Sequence, residues 1–330
     1  MRVLITGAGG FAGRHLCALF ASDGIGVTGL GRRDLSPADL PPGLERYLCC
    51  DLEDQRQAAA AISAARPDLV FHLAGQASVG NSWKDPAGTI RGNLGTTIHL
   101  LEALRRHAPG ARVMIACSGE EYGSHVDLPV TEEHPLRPRN PYAVSKAAAD
   151  HAAALYDEAH GMHVVRMRAF NHAGPGQSDS HVVSWLARQI VEGELGAEDG
   201  APVEIVTGGL DVSRDFTDVR DVVRAYRAGL EHAPPGAYNV CSDRSTTIRS
   251  IVLGLSEHAE VEVVTRTDPA QLREREMHEI RGSHAKLTRA VGWSPEIPLS
   301  RTLADTLAWW RERLGAAVGY SAAPRTLARP

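Results

Sequence analysis

Lysine is nearly absent from this chain. Of its 35 basic residues only Lys84, Lys146 and Lys286 are lysines. In such a chain a lysine marks a position where a compact, tunable cation serves better than the guanidinium fork. A surplus of positive charge is missing too: 40 acidic residues leave a net charge of −5. That balance argues against the broad basic footprint of a nucleic-acid partner. Long apolar runs are also lacking. Stretches such as Val3 to Ile5 and Val113 to Cys117 have the length of a strand, far short of the roughly 20 residues that span a bilayer, so no membrane partner is expected. The five cysteines (Cys17, Cys49, Cys50, Cys117, Cys241) form no Cys-x-x-Cys pair. They read as reduced packing residues of a cytoplasmic protein, and no metal is expected. Met1-Arg2 runs directly into the first strand-like stretch, so no signal or transit peptide is expected. There is no internal repeat and no low-complexity tract.

What is present suits one large α/β domain, or a large domain with a smaller one: 330 residues, 43% of them apolar. Strand-like runs at 3–6, 26–30, 68–73, 113–117 and 164–167 alternate with helical patterns at 11–20, 54–65, 94–106 and 142–158. Such alternation predicts an α/β fold, a Rossmann-type doubly wound parallel sheet with helices on both faces. Past Phe170 glycine, proline and asparagine cluster at 171–177 and helices dominate. The expected division is a cofactor-binding domain over 1–170 and a smaller, mainly helical substrate domain over 171–330. Residues 215–230 read as a helix and 237–241 as a strand that return to the first sheet. The chain from Tyr320 onward reads as a loose tail.

Thr6-Gly-Ala-Gly-Gly-Phe-Ala-Gly13 lies between the first strand and the first helix. There Gly7 permits a sharp turn, Gly10 a close approach of a diphosphate, and Gly13 tight helix–strand packing. Phe11 and Ala12 open the helix whose free N–H groups face the anion. The second strand ends in Gly29-Leu-Gly-Arg-Arg33, where an NAD-type fold places an acidic residue on the ribose diol. Gly31 with Arg32 and Arg33 suits a 2′-phosphate instead, favouring NADP(H) over NAD(H). Asp34 is an alternative acceptor for ribose hydroxyls, and solvated arginines are the plainer explanation of the pair. Asp51 and Leu52 read as an adenine contact or as a helix cap. His72 ends the fourth strand and reads as a packing residue; Leu73 and Ala74 follow it along the middle of the cofactor.

Tyr142 and Lys146 are four residues apart on a predicted helix that opens with Pro141, so both leave one face. A free phenol has a pKa near about 10, and a neighbouring ammonium is expected to lower it. Ser118 ends a strand at the carboxyl edge of the sheet, where ligands of open α/β sheets bind. Its hydroxyl is placed to hold the carbonyl oxygen that the tyrosine protonates.

Thr6–Gly13, Asn93, Ser118 and Tyr142-x-x-x-Lys146 resemble the extended short-chain dehydrogenase/reductases that modify nucleotide-activated sugars. Ser118-Gly-Glu-Glu-Tyr-Gly123, Arg137 to Lys146, Phe170-Asn-His-Ala-Gly-Pro-Gly-Gln177 and Arg214 to Asp221 are similar to the GDP-4-dehydro-6-deoxy-D-mannose reductases, which form GDP-D-rhamnose. The GDP-mannose 4,6-dehydratases are the nearest relatives of that group. The resemblance implies hydride delivery from NADPH to the C4 ketone of a GDP-4-keto-6-deoxyhexose, with Tyr142 giving the proton and Ser118 binding the alkoxide. Lys146 would lower the tyrosine pKa and hold the nicotinamide ribose, and Asn93 would belong to the cofactor site. Substrate contacts implied in the same way are Ser78, Glu120, Asn171, Arg214, Arg273 and Glu276. Within that last stretch Glu274-Arg275 departs from the family's pattern and leaves Arg275 as an alternative to Arg273. In the dehydratases a glutamate at the position of Glu120 is the base that removes the C5 proton. A 4,6-dehydratase or a 4-epimerase with internally recycled NAD(P), and more remotely a non-catalytic NADP sensor, are the alternatives. The family also implies a homodimer or homotetramer packed through the helix at 147–156, although its alanines fit an internal core as well.

Overall fold

A computed structural model describes residues 1–124, 127–196, 201–269 and 279–321. Strands β1 (Val3–Thr6), β2 (Val27–Gly31), β3 (Leu44–Cys49), β4 (Leu69–His72), β5 (Arg112–Ser118) and β6 (Val164–Ala169) join a further strand, Gly236–Val240, in one seven-stranded sheet. The order is β3-β2-β1-β4-β5-β6 with Gly236–Val240 at the edge, and every pairing is parallel. The chain reverses its direction of winding between β1 and β4, which opens a crevice at the strands' carboxyl ends.

Helices α1 (Phe11–Ser22), α2 (Gln55–Ala65), α3 (Val79–Lys84), α4 (Pro86–Ile90), α5 (Thr96–His107) and α6 (Pro141–His160) follow in order. Successive strand residues point to opposite faces. Val3, Ile5, Phe71 and Met114 therefore pack with Leu16 and Phe20 of α1 and with Tyr226 of the helix Val219–His232. Leu4, Val70, Val113 and Ile115 pack on the other side with Ile62 of α2, Leu100 and Leu104 of α5 and Ala153 of α6. Burial on both faces is why these strands read as unbroken apolar runs.

Three local expectations change. Residues 91–95 form a π-type turn before α5 starts at Thr96, so the helix begins later than its apolar pattern suggested. Such a turn holds one extra residue, and here Asn93 within it is buried. The helix read over 215–230 begins only at Val219, because Phe216–Asp218 is a strand and Asp218 caps the helix by accepting the Arg220 N–H at 2.8 Å. The last helix, Leu299–Ser321, runs through Tyr320, where the tail was expected; residues 322–330 lie outside the described set.

The chain divides into two compact units. The first comprises Met1–His172, Asp215–Ser245 and Ile280–Glu296; its third piece is a return not foreseen from the sequence. The second comprises Ala173–Arg214, Thr246–Glu279 and Ile297–Pro330. Its described elements include the helices Val182–Gly196, Ile248–Ser256 and Leu299–Ser321 and the parallel pair Val203–Thr207 and Val263–Thr267. Trp310 donates to the Ser184 hydroxyl at 3.0 Å, which in turn donates to the Gln177 carbonyl at 2.6 Å, satisfying both buried groups.

Candidate active site

The glycine loop leaves β1 through Gly7, whose φ of +69° only glycine adopts without strain; a Cβ there would meet the Ala74 nitrogen at 2.8 Å. At Gly13 a Cβ would lie 2.3 Å from the Gly7 carbonyl oxygen, so α1 packs against the loop as closely as backbone allows. Gly10 stands at the N-cap of α1 and offers no side chain to its first turn. The open N–H groups at Phe11 to Gly13 and the helix dipole form an anion cradle. These residues fit the diphosphate of a dinucleotide.

At the end of β2, Arg32 and Arg33 are exposed, and Arg32 stands 3.8 Å from Glu53. The backbone of this turn is held in place: the Tyr47 hydroxyl donates to the Arg33 carbonyl at 2.8 Å. Asp51 accepts the Glu53 N–H at 3.0 Å and Leu52 is buried. Asp51 is not the helix cap; Asp54 takes that role, accepting from Arg56 and Gln57.

His72 is buried in a hydrogen-bond chain that fixes its tautomer. Thr97 donates its hydroxyl to the Asn93 carbonyl at 2.8 Å, so its oxygen accepts from His72 Nε2 at 3.2 Å. His72 Nδ1 then accepts from Thr6 Oγ1 at 2.8 Å, and Thr6 Oγ1 accepts the Ala74 N–H at 3.2 Å. Burial, aided by the Lys146 charge, pushes the imidazole pKa down to about 3, so the ring is neutral. Leu73 and Ala74 lead from this anchor into Gly75.

Asn93 clamps the next loop. Its amide accepts the Gln76 N–H at 2.8 Å and donates to the Gln76 carbonyl at 3.1 Å and to Ser145 Oγ at 2.8 Å. Its donors are thus engaged within the protein, joining the loop to α6. Ser78 caps α3 by accepting the Asn81 N–H at 3.2 Å. A Cβ at Gly75 would lie 2.7 Å from Asn93 Oδ1 and 3.8 Å from Lys146 Nζ, which places the loop beside the lysine.

Helix α6 starts with Pro141 at its first position, and Asn140 caps it by accepting the Ala143 N–H at 2.8 Å. Tyr142 is 9% exposed, with the Ser118 hydroxyl beside its phenol. Ser118 begins a capping box: its hydroxyl accepts the Glu120 N–H at 3.2 Å, and Glu121 accepts the Ser118 N–H at 2.7 Å. Glu120 accepts from the Asn140 amide at 3.2 Å. Lys146 is half-buried and donates to the Ala116 carbonyl at 2.7 Å. Burial lowers the Lys146 pKa and raises that of Tyr142. After burial, the strongest influences on the phenol are the Ser118 hydroxyl, which favours the phenolate, and the carboxyls of Glu121 and Glu120, which oppose it. The expected lowering by Lys146 is not found: the Tyr142 pKa is raised, and burial is the first cause.

Phe170 packs under this site, where a Cβ at Gly119 would meet its ring at 2.9 Å, and Asn171 opens the next strand. His172 stacks on Phe11 with the ring planes 4° apart. Arg214 belongs to the second unit, in a strand paired with Thr246–Thr247. Arg273, Arg275 and Glu276 lie outside the described residues. The structure thus gathers the glycine loop, Asn93, Ser118, Glu120, Tyr142 and Lys146 on the first unit. Sequence reasoning overlooked Glu121, although Ser118-x-x-Glu121 has the spacing of a capping box. It also overlooked Asp150, one helical turn beyond Lys146.

Comparison with known proteins gives a consistent picture. A family model described as GDP-mannose 4,6 dehydratase matches residues 4–306. A GDP-6-deoxy-D-mannose reductase from Pseudomonas aeruginosa is 39% identical over 316 residues, covering 95% of this chain and 98% of the relative. A GDP-mannose 4,6-dehydratase from Yersinia enterocolitica is 26% identical over 350 residues, covering 93% of each chain. The solved structure of RMD from Pseudomonas aeruginosa complexed with NADPH is similar with a TM-score of 0.82 at 36% identity, covering 95% of this chain and 100% of that one.

Proposed function

The chain belongs to the GDP-mannose 4,6-dehydratase family, and we propose on that footing that it is an NADP(H)-dependent reductase of a nucleotide sugar. The substrate is the C4 ketone of a GDP-4-keto-6-deoxyhexose. The observation that carries the reading is a buried Tyr142 gathered with Ser118 and Lys146 on the unit that also holds the dinucleotide cradle.

Bound NADPH supplies the hydride. Gly7, Gly10 and Gly13 hold the diphosphate against the first turn of α1, and Arg32 and Arg33 meet the 2′-phosphate, with Asp51 and Leu52 toward the adenine. Lys146 anchors the nicotinamide ribose. The Ser118 hydroxyl accepts the Glu120 N–H and so keeps its own proton for the ketone oxygen. Tyr142 stays protonated through the neutral range because burial raises its pKa above the ordinary value of 10.0. It is therefore a proton donor to an alkoxide, a far stronger base than phenolate. Ser78, Glu120, Asn171, Arg214, Arg273 and Glu276 are the proposed sugar-nucleotide contacts. The enzyme works in the cytoplasm and assembles through α6 as a homodimer or a homotetramer.

The test is to give the purified protein NADPH and GDP-4-keto-6-deoxymannose. One NADPH oxidised per ketone consumed is expected. Conversion of GDP-mannose alone to a 4-keto product, with no net use of the cofactor, would contradict the reading and establish a dehydratase with Glu120 as its base.

A further inference from the structure

Behind Ser118 two buried carboxyl groups compete for one buried guanidinium. Asp150 takes it: Arg168 Nε and Nη2 donate to Asp150 at 2.9 Å and 3.2 Å, and Arg166 adds a third hydrogen bond at 2.7 Å. The remaining fork nitrogen of Arg168 donates to the Tyr122 hydroxyl at 2.9 Å. Glu121 is fully buried, and only its Oε1 is served, by the Ser118 N–H at 2.7 Å. Its Oε2 has no hydrogen-bond partner among the described residues and stands 3.8 Å from Arg168 Nε, beyond hydrogen-bonding distance.

The groups facing Glu121 are Cys117 from β5, Lys146 and Asp150 from α6, Arg168 from β6, and the Tyr142 phenol. One ligating atom each of Cys117, Glu121 and Asp150 lies within 4.8 Å of the others. A metal ion does not suit them, because the Asp150 oxygens are engaged by Arg166 and Arg168 and the cluster already contains a cation. Two carboxylates this close in a dry interior do not both ionise. Burial and the Asp150 charge push the Glu121 carboxyl well above its ordinary range. Asp150, despite its own burial, is held below its ordinary value by Arg168.

We propose that Glu121 is a positioning residue for Ser118, an uncharged carboxyl group whose Oε1 holds the Ser118 N–H and whose Oε2 carries a proton toward Asp150 and Cys117. The hydrogen bond fixes the end of β5, and with it the direction of the Ser118 hydroxyl. The missing charge matters as much. An ionised Glu121 would repel the negative charge that develops on the oxygen between Ser118 and Tyr142. Glutamine reproduces both properties, an acceptor and neutrality, whereas leucine removes the acceptor.

This inference rests on the reductase reading for its turnover assay and is independent of it for its second measurement. Steady-state kinetics of the whole chain with NADPH and the keto sugar should show E121Q within about threefold of wild-type kcat from about pH 6 to about pH 9. E121L should lose about tenfold or more in kcat with KM and NADPH affinity nearly unchanged. The second measurement is the infrared difference spectrum of wild type minus E121Q near neutral pH. A protonated-carboxyl band present in wild type and missing in E121Q is expected. Wild-type kcat in E121L, an E121Q as impaired as E121L, or no such band would each overturn the assignment. A wild type that leaves the keto sugar untouched would instead overturn the reductase reading, and the infrared band would still judge Glu121.

Discussion

His72 ties its acid–base behaviour directly to stability. The folded protein keeps the ring neutral down to about pH 3, while in the unfolded chain it takes a proton below its ordinary value of 6.5. The unfolded state therefore binds the extra proton between these values, and stability falls as the pH drops from 6.5 toward 3. The slope from this one residue approaches about 1.4 kcal/mol per pH unit. Urea unfolding near pH 7 and near pH 5 should show His72→Gln losing about 2 kcal/mol less than wild type over that interval. Equal losses in the two proteins would mean that the ring is not held neutral. The sequence reading placed His72 in the packing class but contained no hint of its partners, because Thr6 is 66 positions away and Thr97 is 25. Tyr142 shows the same limit. Its four-residue spacing from Lys146 was legible, whereas the burial that dominates its pKa depends on tertiary packing.

Helix α6 carries two faces with different tasks. Tyr142, Lys146 and Asp150 recur every fourth residue and are buried or nearly so, as are Ala143, Ala147 and Ala153. Its alanines thus serve largely the internal core, one of the two roles left open by the sequence. On the outer side Val144 is 41% and Leu155 60% exposed. Val144, Ala148, Ala152 and Leu155 follow a helical stripe that would lie against a second copy of the chain. Sedimentation at micromolar concentration should find the wild type dimeric or larger and Leu155→Arg reduced to monomer. A monomeric wild type would remove α6 as an interface. The π-type turn before α5 is the element least readable beforehand, because its apolar spacing is that of a helix and only the buried Asn93 clamp explains the extra residue.

At the scale of the molecule, the parallel sheet was legible because strands covered on both faces are written as short apolar runs separated by helical periods. The glycine loop was legible because each glycine answers a local steric need, visible now at Gly7 and Gly13. The Glu121, Asp150 and Arg168 cluster was not, since it joins a turn, a helix and a strand through side chains that no local pattern connects. The return of 280–296 to the first unit escaped notice for the same reason. All these parts bear on the proposal that the Tyr142 phenol gives up a proton beside a dinucleotide. Replacing Tyr142 with Phe and measuring NADPH affinity and turnover of the keto sugar together tests that claim most directly. Affinity should stay within about twofold while turnover falls by about a hundredfold or more. Turnover that survives the loss of the hydroxyl would contradict the account.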